Sequence, residues 1–446
     1  MKIRSITAVM AIGCAAMSYA AGNTHPLIQT KYNADPAPMA YNDTIYLYTS
    51  HDEDDAQSYG FKMKDWLLYT TTDMVNWTEH GAVASLEDFK WYPGDNGAWA
   101  IQVVERNGKF YMYCPIHGHG IGVLVADSPY GSFKDPIGKP LVWQREHWND
   151  IDPTVFVDSD GQAYMYWGNP ELYCVKLNDD MVSYSGEIMK MPKIKDYQEG
   201  PWFYRRGNHY YVAFASTCCP EGIGYAMSLS PLGPWEYKGH IMDHTERTRG
   251  NHPGIIAYKG KNYVFGHSYD VLRRQTPDHH ERRSAEAAEM IYNADGTIAE
   301  VPYWRDAELA PCGTIDPYRR VEAETMAWGY GLKNGRIDSR NLYVGNIDDG
   351  EYILVRNVDF GDMGPKRFEV SAAAVKKGGE IDLRIGAPDG ILIGKVKIKE
   401  NGSDSKYAVN TAKVKNIKGV CDLYLVFRGN DTSDDLFRLD WWKFIR

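Results

Sequence analysis

One pattern recurs five times in the first three hundred residues: a tight-turn signal followed by alternating aromatic and aliphatic residues. It reads Asn42-Asp43-Thr44-Ile45-Tyr46-Leu47-Tyr48, then Asn107-Gly108-Lys109-Phe110-Tyr111-Met112-Tyr113, then Asp160-Gly161-Gln162-Ala163-Tyr164-Met165-Tyr166. The last two copies are Gly207-Asn208-His209-Tyr210-Tyr211-Val212-Ala213 and Lys259-Gly260-Lys261-Asn262-Tyr263-Val264-Phe265. Asn-Gly and Asp-Gly turn a hairpin because glycine accepts positive φ, and the alternation is that of half-buried strands. The copies lie about 45–65 residues apart, the length of a four-stranded propeller blade or slightly more. Between them stand Trp66–Thr71, Ile121–Ala126 and Ile223–Met227, each running into a polar turn and an aromatic, as a third strand feeding a fourth would. No long helical periodicity interrupts the series. The spacing predicts an all-β chain with a five-bladed β-propeller over residues 25–312.

Composition shifts near Pro311–Pro317. Residues 318–446 then read as short alternating strands separated by Gly-rich turns: Phe368–Val370, Ile381–Ile385, Ile393–Ile398 and Leu423–Phe427. A second domain is expected there, a jelly-roll-like β-sandwich.

The balance of charge narrows the partners. A net charge of −10 over 446 residues argues against a broad nucleic-acid or anionic-membrane surface and suits a neutral substrate. Lys2 and Arg4, the apolar run from Ile6 to about Met17 and the small residues at Ser18-Tyr19-Ala20 predict an export leader over residues 1–21, cleaved after Ala20 or Ala21. A lipoprotein-type reading at Cys14 is the lesser alternative. The leader's apolar run is too short to span a bilayer, and no other segment offers a transmembrane span. The remaining cysteines show no paired CxxC spacing, which speaks against zinc. The adjacent Cys218 and Cys219 read either as a vicinal disulfide or as two packed thiols.

Three acids stand out by position. Asp35 precedes Pro36, Asp152 precedes Pro153, and Glu199 precedes Gly200-Pro201, each shortly before a copy of the repeat. Asp-Pro pairs are common turn caps, but the shared position sets these apart. Proline biases the residue before it toward extended backbone, which places each acid at the start of a blade's first strand, facing the channel. Converging carboxylates cannot all ionise freely. One protonated carboxyl and one carboxylate that activates water are what glycoside hydrolysis requires. The longer arm of Glu199 suits the donor and Asp35 suits the base.

These segments, with Gly97-Ala98-Trp99-Ala100, Tyr166-Trp167-Gly168-Asn169 and Asn251-His252-Pro253-Gly254, resemble glycoside hydrolase family 43 over about residues 25–305. The resemblance implies a five-bladed propeller that hydrolyses with inversion. It makes Asp35 the general base, Glu199 the general acid, and Asp152 the carboxylate that tunes and orients the acid. Inversion needs room for water, so base and acid should stand roughly 6.5–9.5 Å apart. The resemblance further implies substrate binding by Arg283, which also reads as part of a solvated charge run, and a metal, often calcium, beside His267. Trp99, Trp167, Phe203 and Asn169 could shape the sugar pocket or fill the core.

Val321-Glu322-Ala323-Glu324, Leu423–Phe427 and Leu439-Asp440-Trp441-Trp442 resemble carbohydrate-binding module family 6. That match implies a structural calcium held by Glu322, Glu324 and Asp440, whose oxygen ligands suit the ion. Gly345-Asn346-Ile347 stands where family members carry an aromatic, which removes a stacking ring from the usual cleft. No cofactor is expected for the chemistry itself. The leading expectation is an exported, exo-acting α-L-arabinofuranosidase on arabinoxylan or arabinan side chains. A β-xylosidase or other xylan-degrading hydrolase is the second reading, and a non-catalytic polysaccharide-binding protein the third.

Overall fold

The computed structural model describes residues 12–13, 25–58, 60–145, 149–217, 220–244, 250–307, 309–339, 341–374, 378–429 and 435–446. The expected leader (apart from Ile12 and Gly13), Cys14 and the Cys218–Cys219 pair lie outside them. Strands dominate, and among the described residues the one α-helix is Asp270–Gln275. No described helix is long and apolar enough to cross a membrane. The chain forms two compact units, one of Asn23–Thr72 and Glu79–Ala310, the other built on Pro311–Arg446.

In the first unit every copy of the repeat is the hairpin joining the first and second strands of an antiparallel sheet. Asn33–Tyr41 pairs with Thr44–His51, Gln102–Arg106 with Lys109–Pro115, and Thr154–Val157 with Ala163–Trp167. Tyr197–Arg206 pairs with His209–Ser216, and Gly254–Tyr258 with Lys261–Ser268. At the turns Asn42, Asn107, Gly161, Gly207 and Lys259 all take positive φ, which is why glycine and asparagine mark them. The third strands fall where the alternation places them, at Asp65–Thr71, Ile121–Ala126 and Gly222–Ser228. The segment around Phe133 keeps only a bridge, Val125 to Lys134.

The five first strands neighbour one another in a ring. Asn33–Tyr41 lies beside Gln102–Arg106, that beside Thr154–Val157, and that beside Tyr197–Arg206. The Trp202 indole N–H donates to the Ile255 carbonyl at 3.0 Å, tying on Gly254–Tyr258, which returns to Asn33–Tyr41. Aromatic and aliphatic side chains fill the space between sheets. One such layer packs Tyr113, Val123, Val155, Met165 and Trp167, and the next packs Tyr166, Phe203, Tyr210 and Phe214.

The second unit is a sandwich of two antiparallel sheets. Phe368, Val370, Trp442 and Phe444 from one sheet meet Ile353, Leu383, Leu423, Leu425 and Phe427 from the other. Ile347 is fully buried in that core. Asn346 takes positive φ and donates to the Gly331 carbonyl, so neither residue offers a stacking face.

Candidate active site

The acids converge, but not by extended backbone. Asp35 and Asp152 have φ of 52° and 56°, and Gly200, between Glu199 and Pro201, has φ of 58°. The expectation of extended conformation before proline is overturned at both Asp-Pro pairs. At Asp35 and Glu199 the ladder shows why, since its register shifts between Ala34 and Ala37 and on either side of Glu199; Asp152 stands ahead of its strand, which begins at Thr154. A bulge at the head of a first strand turns the side chain out of the pleat and toward the ring's centre. Aspartate tolerates the left-handed region better than most residues. Gly200 is required on a second ground, since a Cβ there would lie 2.6 Å from the His252 ring.

Asp35 is buried against positive partners. It accepts the Ser50 hydroxyl at 2.7 Å and an Arg283 N–H at 2.9 Å. His252 Nδ1 stands 3.4 Å away and His267 Nδ1 4.0 Å away. Burial alone would raise Asp35, but Arg283, the two histidines and Ser50 outweigh it and hold the carboxyl below the usual range. On its far side His252 faces the other two acids, with Nε2 at 3.7 Å from Asp152 and 3.6 Å from Glu199. Asp152 accepts the Gly200 N–H at 3.1 Å, and Glu199 accepts the Asn169 side-chain amide. Burial, then the charges of Glu199 and Asp35, push Asp152 up to about 7 against the opposing pull of His252. Burial would lower His252, but Asp152, Asp35 and Glu199 push it up to about 10. The imidazolium is thus the positive hub on which three carboxylates meet.

A fourth carboxyl joins them. Glu221, 2% exposed, accepts the Asn251 N–H at 3.2 Å. Burial and the Glu199 charge push it up to about 8. Near neutrality the cluster therefore holds protons as well as charges. Above it opens a cavity of about 420 Å³ walled by Phe61, Met63, Trp99 and His117, of a size for a small ligand or a single sugar unit.

The residues expected around the sugar divide. Trp99 and Asn169 line the cavity. Trp167 does not: it is fully buried, donates to Asp150 at 2.8 Å and stacks on Tyr173. Phe203 is likewise core, 4.7 Å from Tyr166 and 5.2 Å from Phe156. Each ring follows its strand's pleat into the space between sheets. Arg283 reaches the cavity, but its fork is taken by Asp52, with Nε and Nη2 each at 2.9 Å, and its third nitrogen by Asp35. It thereby ties Asp35 to Asp52. His252 and Glu221 went unassigned in the sequence. His252 carried a signal, since it precedes Pro253 at the head of a first strand as Asp35 and Asp152 precede theirs; Glu221 heads a third strand and carried none.

In the second unit Glu322, Glu324 and Asp440 gather around Arg320. Its guanidinium donates to Glu322 at 2.7 Å and to Asp440 at 3.1 Å and feels the Glu324 charge. Only Glu322 and Asp440 share a partner, and with Glu324 the three do not close into one cluster, so this donor set would have to rearrange to hold a hard cation.

Carboxyl groups of opposed protonation under a sugar-sized, aromatic-walled cavity define a glycoside hydrolase. Comparison with known proteins agrees. Residues 23–298 match the glycosyl hydrolases family 43 and residues 322–446 the carbohydrate binding module family 6. An arabinoxylan arabinofuranohydrolase of Bacillus subtilis is 33% identical, over 95% of this chain and 92% of its own length. The crystal structure of a Bacillus subtilis family 43 arabinoxylan arabinofuranohydrolase in complex with cellotetraose superposes with a TM-score of 0.84, at 31% identity over 96% of this chain and 98% of that one. A β-xylosidase/α-arabinofuranosidase from a compost metagenome, in complex with xylotriose in a calcium-free form, superposes with a TM-score of 0.56 at 25% identity, over 64% of this chain and 98% of its own. The chain belongs to glycoside hydrolase family 43 and carries a family 6 carbohydrate-binding module.

Proposed function

We propose that the protein removes α-L-arabinofuranosyl side groups from arabinoxylan with inversion, in a five-bladed propeller. Glu199 donates a proton to the leaving oxygen while Asp35, kept ionised by Arg283 and His252, takes one from water. Asp152 holds the chain at Gly200, beside the acid, and stands with Glu199 on the same nitrogen of His252. The observation that carries this reading is the single imidazole between base and acid. The Asp35 and Glu199 oxygens that face it are no farther apart than contacts of 3.4 and 3.6 Å plus the width of one ring. That separation lies within the upper limit of about 9.5 Å for inversion. Five hairpins on a closed ring of first strands support five blades, and the curated arabinofuranohydrolase relative supports the substrate. A pocket for one pentose would also admit xylose, as the xylosidase relative illustrates. Proton NMR of the first product decides both points: arabinose released from arabinoxylan as the β-anomer is expected, and α-anomer or xylose as the first product would overturn the assignment.

We assign the structural calcium to Glu322, Glu324 and Asp440, where it would have to displace Arg320 from Glu322 and Asp440 and draw Glu324 in beside them. His267 is a poorer site, because its neighbour Asp35 already answers to two cations. Calcium at about a hundred times its dissociation constant adds about 2.7 kcal/mol to the module, a rise of roughly 5–10 °C in its unfolding transition. Calorimetry with calcium and with chelator measures it, and coincident transitions would remove the ion from the scheme. The N-terminal leader pattern supports export.

A further inference from the structure

An inverting cycle leaves both of its carboxyl groups in the wrong state. Once the bond is cut, the base carries a proton taken from water and the acid has lost its own. Both must be reset before the next sugar is cleaved, whereas the second step of a retaining enzyme restores its acid. Base and acid are poorly placed here to reset through bulk solvent. The side chain of Asp35 is 4% exposed and that of Glu199 18%, and both line the cavity that the sugar would fill.

One ring joins them inside the protein. His252 turns Nδ1 toward Asp35 and Nε2 toward Glu199. Its place is fixed: its backbone N–H donates to the Gly250 carbonyl at 2.8 Å, and its ring packs against Gly200, where no Cβ would fit. Nδ1 is buried and, among the described residues, has no hydrogen-bond partner. Asp35 faces it with Oδ1, while Oδ2 accepts the Ser50 hydroxyl. Glu199 faces Nε2 with Oε1, while Oε2 accepts the Asn169 amide. Asp152 stands on the same Nε2, but with the oxygen that already accepts the Gly200 N–H. Contacts of 3.4 and 3.6 Å are longer than proton transfer needs; catalytic contacts of this kind commonly tighten and align when substrate is bound.

We propose that His252 returns the proton from base to acid after each turnover. The imidazolium gives its Nε2 proton to Oε1 of Glu199, and Nδ1 takes the proton of the Asp35 carboxyl. Before the step Asp35 is neutral, the ring positive and Glu199 negative; after it Asp35 is negative, the ring positive and Glu199 neutral. Protons and charge balance, no other reactant enters, and both ring nitrogens end protonated as they began, so the ring need not flip. Two features set the direction and the carrier. Arg283 on Oδ1 favours the ionised form of Asp35, which therefore sheds its proton readily. Asp152, Asp35 and Glu199 hold the ring protonated, and Glu221 also feels its charge. The assignment rests on the inverting reading under Proposed function.

The test uses the full chain, as wild type, His252→Asn and His252→Gln, on an arabinofuranosylated xylo-oligosaccharide, whose leaving group needs the acid. The asparagine amide reaches the place of Nδ1 and the glutamine amide that of Nε2, but neither carries a proton across. Rapid-quench single turnover with enzyme in excess is compared with steady-state kcat, and thermal unfolding checks the fold. The ratio of single-turnover to steady-state rate is expected to rise about tenfold in both variants, and added imidazole buffer should raise their steady-state rate alone. Wild-type kcat should not depend on buffer concentration at constant ionic strength. A ring that acts only by its charge would lose both rates together. An unchanged ratio, a raised ratio that imidazole does not lower, or a wild-type kcat that climbs with buffer overturns the relay and leaves the inverting assignment standing. Release of the α-anomer by the wild type overturns the inverting assignment itself, and the relay with it.

Discussion

Glu199→Gln is expected to lower turnover of arabinoxylan by 10²- to 10⁴-fold, the range that a positioned general acid contributes, while the fold survives. Glutamine keeps the volume, and its amide oxygen can still accept the Asn169 N–H that Glu199 accepts now. What disappears is the labile proton, so the loss should track the leaving group. An aryl arabinofuranoside with an acidic phenol needs little protonation and should retain far more of its rate than the polymer. Rates on both substrates, with thermal unfolding as control, separate this from a packing defect. Equal losses on both would point to damaged geometry, and near-normal turnover of the polymer would transfer the acid's role elsewhere, with Glu221 the neighbour to examine.

The fold was legible because each hairpin turn announces itself locally. Asn42-Asp43, Asn107-Gly108 and Asp160-Gly161 need positive φ and say so in their residue types. The candidate acids were legible for a related reason: each is followed by a proline or Gly-Pro near the head of a first strand. The backbone at those points was not. Proline's local bias favours extended conformation, and the left-handed turn comes at Asp35 with a ladder that slips and at Asp152 with the approach to the strand at Thr154. Such residues cost roughly 1–3 kcal/mol each, so packing across the ring must hold them. The aromatics were the hardest to place. Trp99, between Ala98 and Ala100, and Trp167, between Tyr166 and Gly168, both stand beside small residues, yet one walls the cavity and the other is core. The difference lies in the direction each side chain faces between sheets, which no local pattern encodes. Arg283 was recognised, but its partner Asp52 lies far away in sequence, so its grip on Asp52 and Asp35 could not be read.

That grip has a measurable consequence. Arg283 stands between Asp52 and Asp35, both nearly or fully buried. Arg283→Met strands two carboxylates without their cation, which typically costs about 3–5 kcal/mol. The sign of its pH dependence follows from Asp35. Its folded pKa is depressed, so it contributes stability that is present above the ordinary carboxylate range and is lost as pH falls through the folded value. The stability gap between wild type and variant should therefore be widest near neutrality and narrow in acid. In the surviving enzyme Asp35 titrates higher, and the acid limb of kcat/KM moves up in pH. Arg283→Lys should recover part of the charge but not the fork across Asp52, giving intermediate values in both measurements. Urea unfolding at several pH values and the pH–rate profile read the two effects independently. A ligand for the sugar alone would behave otherwise: KM would rise, the acid limb would stay in place, and stability would barely change. That pattern would return Arg283 to the substrate and leave the ionised state of Asp35 to His252, His267 and Ser50.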